Sequence, residues 1–181
     1  MADAGVTLLE YRNKAATDAE VLEDAVVLRK AMPSGQVKLI LDDRVDVALA
    51  ADFDGVHVDA GDLPVGDARI LVGANGMVGT SASTEQELRA ALKVPADYIS
   101  FGPVFPTTTK KTKSKPIGVE GVRRFRKHAG GEVVLVAAAG ITLRTAPEVL
   151  EAGASVVAVG AALFRAEDPA AEFCRWMAAL K

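Results

Sequence analysis

Cysteine is nearly missing from this chain: Cys174 stands alone among 181 residues, so no internal disulfide can form. That fits a reducing compartment. Aromatic residues are only 5% of the total, too few for a surface that stacks nucleic-acid bases. The charges nearly cancel. A formal net charge of −3 offers no overall attraction for nucleic acid or anionic lipid, so any anion site must be local. No apolar run approaches the roughly 18 residues of a membrane span. The first residues, Met1-Ala-Asp-Ala-Gly5, carry neither the basic nor the apolar stretch of an export signal. These absences exclude disulfide-stapled, membrane-embedded and nucleic-acid-binding classes. The expectation is a cytoplasmic chain forming a single domain over residues 1–181.

What is present is an alternation. Half the residues are apolar and a quarter charged, the composition of an ordinary globular protein. Short apolar runs, rich in Val, Ile, Leu and Ala, predict strands at 6–12, 37–42, 55–59, 77–81, 98–102, 133–139 and 156–160. They read as continuous apolar segments, which is the pattern of strands covered on both faces. Helical spacing lies between them. Thr17-Asp-Ala-Glu20 and Ser83-Thr-Glu-Gln86 read as capping boxes opening helices to about Met32 and Leu92. Further helices are expected at 118–129 and 145–152. Asp168-Pro169 caps a last one running to Leu180.

Strand–helix alternation implies a parallel α/β sheet, either open and doubly wound or closed as a TIM barrel. Polar residues favour closure. Arg12 and Lys14, Asp42 and Asp43, Asp59 and Asp62, Ser81, Thr107 to Lys110, and Gly140 all follow successive strands. A barrel builds its site from the ends of nearly every strand, whereas an open sheet concentrates chemistry at one switch point. The fold expected is therefore α/β of the (β/α)8 TIM-barrel type, with seven strands visible rather than eight.

The strand-end residues suggest chemistry but leave alternatives open. Asp43 and Asp62 suit Mg²⁺, which takes few carboxylates and otherwise prefers water and phosphate oxygens, yet aspartates after strands are common. Arg12 and Lys14 alternate and so point to one side. A guanidinium fork and an ammonium suit a diphosphate, or are simply solvated. Thr107-Thr-Thr-Lys-Lys-Thr-Lys-Ser-Lys115 packs lysines and hydroxyls into one loop of an acidic protein. Such a loop is either a substrate lid that excludes water or a solvated segment. Gly140 and Gly160-Ala-Ala-Leu163 follow the last two strands, where barrels often hold phosphate on backbone N–H groups; tight strand–helix packing explains them equally well. His57 and His128 read as an ordinary strand position and a solvated helix face, and Cys174 and Trp176 as packing residues.

Several segments together resemble thiamine phosphate synthase and its relatives, the thiazole tautomerase-like proteins. They are Val6-Thr-Leu-Leu-Glu-Tyr-Arg-Asn-Lys14, Leu39-Ile-Leu-Asp-Asp-Arg-Val-Asp46, Asp54-Gly-Val-His-Val-Asp-Ala-Gly-Asp-Leu-Pro64, Gly79-Thr-Ser81, Phe101-Gly-Pro-Val-Phe-Pro-Thr-Thr-Thr-Lys110 and Ala139-Gly-Ile-Thr142. The likeness runs from about Gly5 to Phe164, and the Phe101–Lys110 segment is its most specific part. It implies a TIM barrel that couples an aminopyrimidine methyl diphosphate to a thiazole phosphate, giving thiamine phosphate and pyrophosphate. By correspondence, Asp43 and Asp62 hold Mg²⁺, and Arg12, Lys14, Ser81 and Lys110 act on the diphosphate. Glu10, Asp42, Thr107, Thr109, Gly140, Gly160, Ala161 and Ala162 line the substrates. Family members also carry a strand–helix unit before the position of Gly5. The expectation is thus an incomplete barrel with two open edges, closed by the chain's own tail, paired in a homo-oligomer, or frayed.

The chain also departs from the pattern. Glu10 stands for a glutamine, Asp42 for an asparagine, Ser83 for a histidine, Ala139 for a glycine and Ala161 for a serine. The first two add negative charge where a diphosphate should bind. Besides a synthase, two readings compete: a diverged barrel enzyme acting on a related thiazole or phosphorylated heterocycle, and a phosphate- or ligand-binding barrel without turnover.

Overall fold

The computed structural model describes residues 4–32, 34–107 and 114–180. Along them run seven strands and eight helices, with β1–β2, β2–β3, β3–β4, β5–β6 and β6–β7 paired in parallel: β1 (Leu8–Tyr11), α1 (Asp18–Ala31), β2 (Lys38–Asp42), α2 (Val45–Ala50), β3 (Gly55–Val58), α3 (Val65–Val72), β4 (Met77–Ala82), α4 (Glu85–Ala91), β5 (Tyr98–Phe101), α5 (Gly118–Ala129), β6 (Val134–Ala138), α6 (Ala146–Glu151), β7 (Val156–Ala158), α7 (Ala161–Phe164) and α8 (Pro169–Ala179). All seven expected strands are present, most of them trimmed at the ends. Helices α2, α3 and α7, of 6, 8 and 4 residues, were not expected from the sequence: they open on Arg44, Pro64 and Gly160 with no side-chain cap to mark the start. Among the described residues, no helix is long and apolar enough to cross a membrane.

The chain divides into two compact units. One comprises Ala2–Thr80 with Val94–Asp97; the other contains Ser81–Lys93 and Tyr98–Lys181. In the first, β1 to β4 pair in chain order and α1, α2 and α3 cover one face. Val21, Ala25, Leu41, Val45, Val56, Val58 and Val78 form its core. Gly55 lets β3 and β4 approach, since a Cβ there would lie 2.2 Å from the Met77 carbonyl oxygen. In the second unit, Leu88, Ile99, Phe101, Val122, Phe125, Leu135, Val149 and Trp176 make a separate core. Phe101 and Phe125 stack there with ring centroids 5.0 Å apart.

Not every strand is covered on both faces. Leu8 on β1 is 49% exposed, Val134 on β6 42% and Val156 on β7 47%. Cys174 is exposed, contrary to the packing role expected for it. Trp176 is buried, and its indole N–H donates to Glu172 Oε1 at 3.0 Å.

The helix starts follow the capping rules with one correction. Thr17 caps α1 in a complete capping box with Glu20, and Asp168 accepts the Ala170 and Ala171 N–H groups at the start of α8. The cap of α4 is Thr84, not Ser83: its hydroxyl accepts from Glu87 N–H. The cap is shifted by one residue, and the box is not closed: the Glu87 carboxylate accepts from Ser83 N–H at 2.6 Å instead of from the capping residue.

One arrangement recurs three times. Arg29, Arg69 and Arg126, each near the end of its helix, donate to the C-cap carbonyls of Met32, Gly73 and Gly130 at 3.2, 3.0 and 2.6 Å. Each also reaches the residue just before a strand, respectively Asp54, Asp97 and Ser155. Those side chains in turn accept a backbone N–H from the neighbouring strand, from Leu39 at 2.9 Å, Val78 at 2.7 Å and Leu135 at 3.1 Å. Every copy thus ties a helix end to two strand starts, leaving the opposite strand ends for chemistry.

Candidate active site

In the first unit, the chemistry-bearing residues lie just past the C-terminal ends of β1, β2 and β3. Arg12 and Lys14 follow β1 at once. β2 ends on Asp42, and Asp43 turns the chain with φ 66°, a left-handed conformation that aspartate tolerates better than most residues. The Asp43 N–H still donates to the His57 carbonyl at 2.8 Å, carrying the β2–β3 pairing one residue further. After β3, Asp62 Oδ2 accepts from Asp59 N–H at 2.8 Å, and Asp62 N–H donates to the Asp59 carbonyl at 3.1 Å. This turn, with Gly61 at φ 99°, aims the Asp62 carboxylate back toward β2.

The result is a compact ionic cluster. Carboxylate oxygens of Asp42, Asp43 and Asp62 lie within 4.8 Å of one another. Lys14 Nζ sits 2.9 Å from Asp43 Oδ2, 3.4 Å from Asp62 Oδ2 and 3.8 Å from Asp42 Oδ1. Arg12 Nη1 pairs with Asp42 Oδ2. The Asp42 side chain is only 1% exposed, and its Oδ1 has no hydrogen-bond partner. Burying a carboxylate in that state is costly. Three carboxylates converging around one underused buried oxygen form a hard-oxygen donor set that fits Mg²⁺.

This placement refines the sequence reading. Arg12, Lys14, Asp42, Asp43 and Asp62 come together as expected. Asp42, however, joins the metal-type cluster rather than only lining substrate, and Arg12 pairs with it and not with Glu10. Glu10 stays exposed on β1. His57, expected as an ordinary strand position, is buried on β3 with Nε2 3.4 Å from Asp59 Oδ1. The His57-Val-Asp59 alternation puts both side chains on one side of the strand.

In the second unit, Ser81 and Thr107 are half-buried, and Thr109 and Lys110 lie outside the described residues. Gly140 has φ 72°, and a Cβ on it would lie 2.6 Å from the Phe105 carbonyl group. Its lack of a side chain therefore serves close packing on the Phe101–Thr107 segment. Ala139, beside it, is also left-handed at φ 72°, the conformation for which glycine is the usual choice. Gly160 caps the short helix α7, whose first residues are Ala161 and Ala162. His128 is tied to the helix surface, with Nδ1 2.8 Å from the Arg124 carbonyl and Nε2 3.5 Å from Glu85.

Comparison with known proteins gives this geometry its context. The thiamine monophosphate synthase family model matches residues 1–163. A thiamine-phosphate synthase of Chloroflexus aurantiacus is 43% identical over 91% of this chain and 74% of its own length. One from Agrobacterium fabrum is 39% identical over 91% of this chain and 76% of its own. Among solved structures, thiamine phosphate pyrophosphorylase from Pyrococcus furiosus matches with a TM-score of 0.86 and 33% identity, over 99% of this chain and 85% of that one. The fold is thus α/β of the TIM-barrel type, and the chain belongs to the thiamine monophosphate synthase family.

Proposed function

We propose that this chain makes thiamine phosphate using the ionic cluster beyond β1, β2 and β3 as its diphosphate end. The activity class follows from family membership: a transferase that joins a pyrimidine methyl group to a thiazole phosphate. In the reaction, the bond from the pyrimidine methylene carbon to the diphosphate oxygen breaks. The electron pair leaves with pyrophosphate, and the thiazole nitrogen supplies a new pair to the carbon. Catalysis consists of stabilising the departing charge and holding two rings in line.

Asp43 and Asp62, with Asp42 beside them, are the residues that would hold Mg²⁺, which when bound neutralises diphosphate oxygens. Arg12 provides a bidentate fork and Lys14 a point charge for the same group. From the second unit, Ser81, Thr107, Thr109 and Lys110 are assigned to the phosphates, and the backbone at Gly140, Gly160, Ala161 and Ala162 to the thiazole phosphate. These assignments rest on family correspondence.

The observation that carries the reading is the convergence of Asp42, Asp43 and Asp62 around a buried Asp42 oxygen that accepts no hydrogen bond. The same cluster motivates a slower enzyme. Arg12 is already engaged through Nη1 by Asp42, so a diphosphate meets a guanidinium whose charge is partly neutralised. Isothermal titration with pyrophosphate tests the metal role. Affinity should rise with Mg²⁺ in the parent chain, and that rise should vanish in Asp43→Ala/Asp62→Ala. An unchanged Mg²⁺ effect in the double variant would sink the assignment.

A further inference from the structure

Lys14 occupies the middle of the three-carboxylate cluster. Its ammonium is 2.9 Å from Asp43 Oδ2 and 3.4 Å from Asp62 Oδ2, the two carboxylates assigned to the metal, and 3.8 Å from Asp42 Oδ1. An ammonium is a compact cation on a flexible stem. With about a third of its side chain exposed, it has solvent to turn into. Arg12 differs: among the three carboxylates its ion pair is with Asp42.

We infer that Lys14 is the resident counter-cation of this cluster and competes with the divalent ion for it, so that the free protein holds Mg²⁺ weakly until Lys14 is drawn away. This rests on the reading of Asp43 and Asp62 as metal ligands. The physical reason is charge balance. All three carboxylates lie within 3.8 Å of one ammonium, and a divalent ion placed among them would face that ammonium at close range. An incoming diphosphate offers Lys14 another anion. Leaving the carboxylates for it relieves the repulsion, which links occupancy of the metal site to arrival of the substrate.

The experiment is titration of Mg²⁺ alone into the full chain, followed by calorimetry and by the shift in melting temperature, without substrates. Lys14→Gln should bind Mg²⁺ at least about tenfold more tightly than the parent, since even at the dielectric of water a unit charge about 4 Å from a divalent ion opposes it by more than a tenfold change in affinity. Arg12→Gln should gain clearly less. Equal gains in the two variants would mean that general field, not occupancy, sets the affinity, and would overturn the inference. So would unchanged or weaker binding in Lys14→Gln. Asp43→Asn separates this inference from the reading beneath it. If that variant keeps the parent's Mg²⁺ affinity, the metal assignment itself fails. If it loses Mg²⁺ while Lys14→Gln gains nothing, only the inference about Lys14 fails.

Discussion

With 1% of its side chain exposed, Asp42 needs a partner for each oxygen, and Arg12 supplies only one. Three carboxylates facing two cations leave the cluster short of positive charge, and an arriving diphosphate adds to the deficit. Replacing Asp42 by Asn, with Glu10→Gln, should therefore tighten pyrophosphate binding. Removing one unit charge at about 6 Å is worth roughly 1–3 kcal/mol at an effective dielectric near 20, before screening. Exposed Glu10 should contribute the smaller part. Titration calorimetry on the double variant without Mg²⁺ checks this, and weaker binding there would mean that these carboxylates have a positive role at the site. Much of the site was legible because Arg12, Lys14, Asp43 and Asp62 stand at strand ends in matching segments. Which ion pairs they form was not legible. Arg12 choosing Asp42 over Glu10 depends on where β2 places its last residue, a fact of register rather than of local pattern.

The three helix-end arginines show how elements are locked, and their copies differ in one atom set. Asp54 takes Arg29, Lys38 and the Leu39 N–H. Burial pushes its carboxyl up, but the hydrogen bonds from Lys38, Arg29 and Leu39 outweigh that and hold it at about 2. A folded-state value below the unfolded one means the contribution is present above about pH 4 and is lost as pH falls toward 2. In the third copy a neutral hydroxyl, Ser155, meets Arg126 at 2.8 Å. Ser155→Asp would restore the charged acceptor and should raise stability by about 0.5–1 kcal/mol at neutral pH. The gain should disappear in acid. Urea midpoints at pH 7 and pH 3 check both statements. These clamps were invisible in the sequence because each joins residues more than 20 positions apart. Most strands and helices were visible because runs, caps and stop signals are local. The helices α2, α3 and α7 were not, because they open without a side-chain cap and no local signal sets them apart from the turns around them.

Across the whole molecule, stability is unevenly supplied. Each unit has its own apolar core, and the strands differ in how they are supported. β6 pairs with β5 on one side and β7 on the other, whereas among the described residues β1 pairs with β2 alone. Half the backbone groups of an edge strand lack a ladder partner. β1 also has Leu8 49% exposed, so little apolar burial opposes its opening. Local opening follows such differences in burial and hydrogen bonding. Amides of Leu8–Tyr11 should therefore exchange at least about tenfold faster than those of Val134–Ala138, a difference of about 1.4 kcal/mol in opening free energy. Arg12 and Lys14 follow directly on β1, so the same opening would loosen the cationic half of the diphosphate site. Pyrophosphate with Mg²⁺ should then slow exchange in β1 more than in β6, since binding stabilises the closed state it selects. Exchange followed by mass spectrometry in dilute protein, with and without the ligand, reads both effects. Equal protection of the two strands without ligand would refute the weak-edge argument. Protection of β1 that rises with protein concentration would instead identify a second copy pairing along that edge.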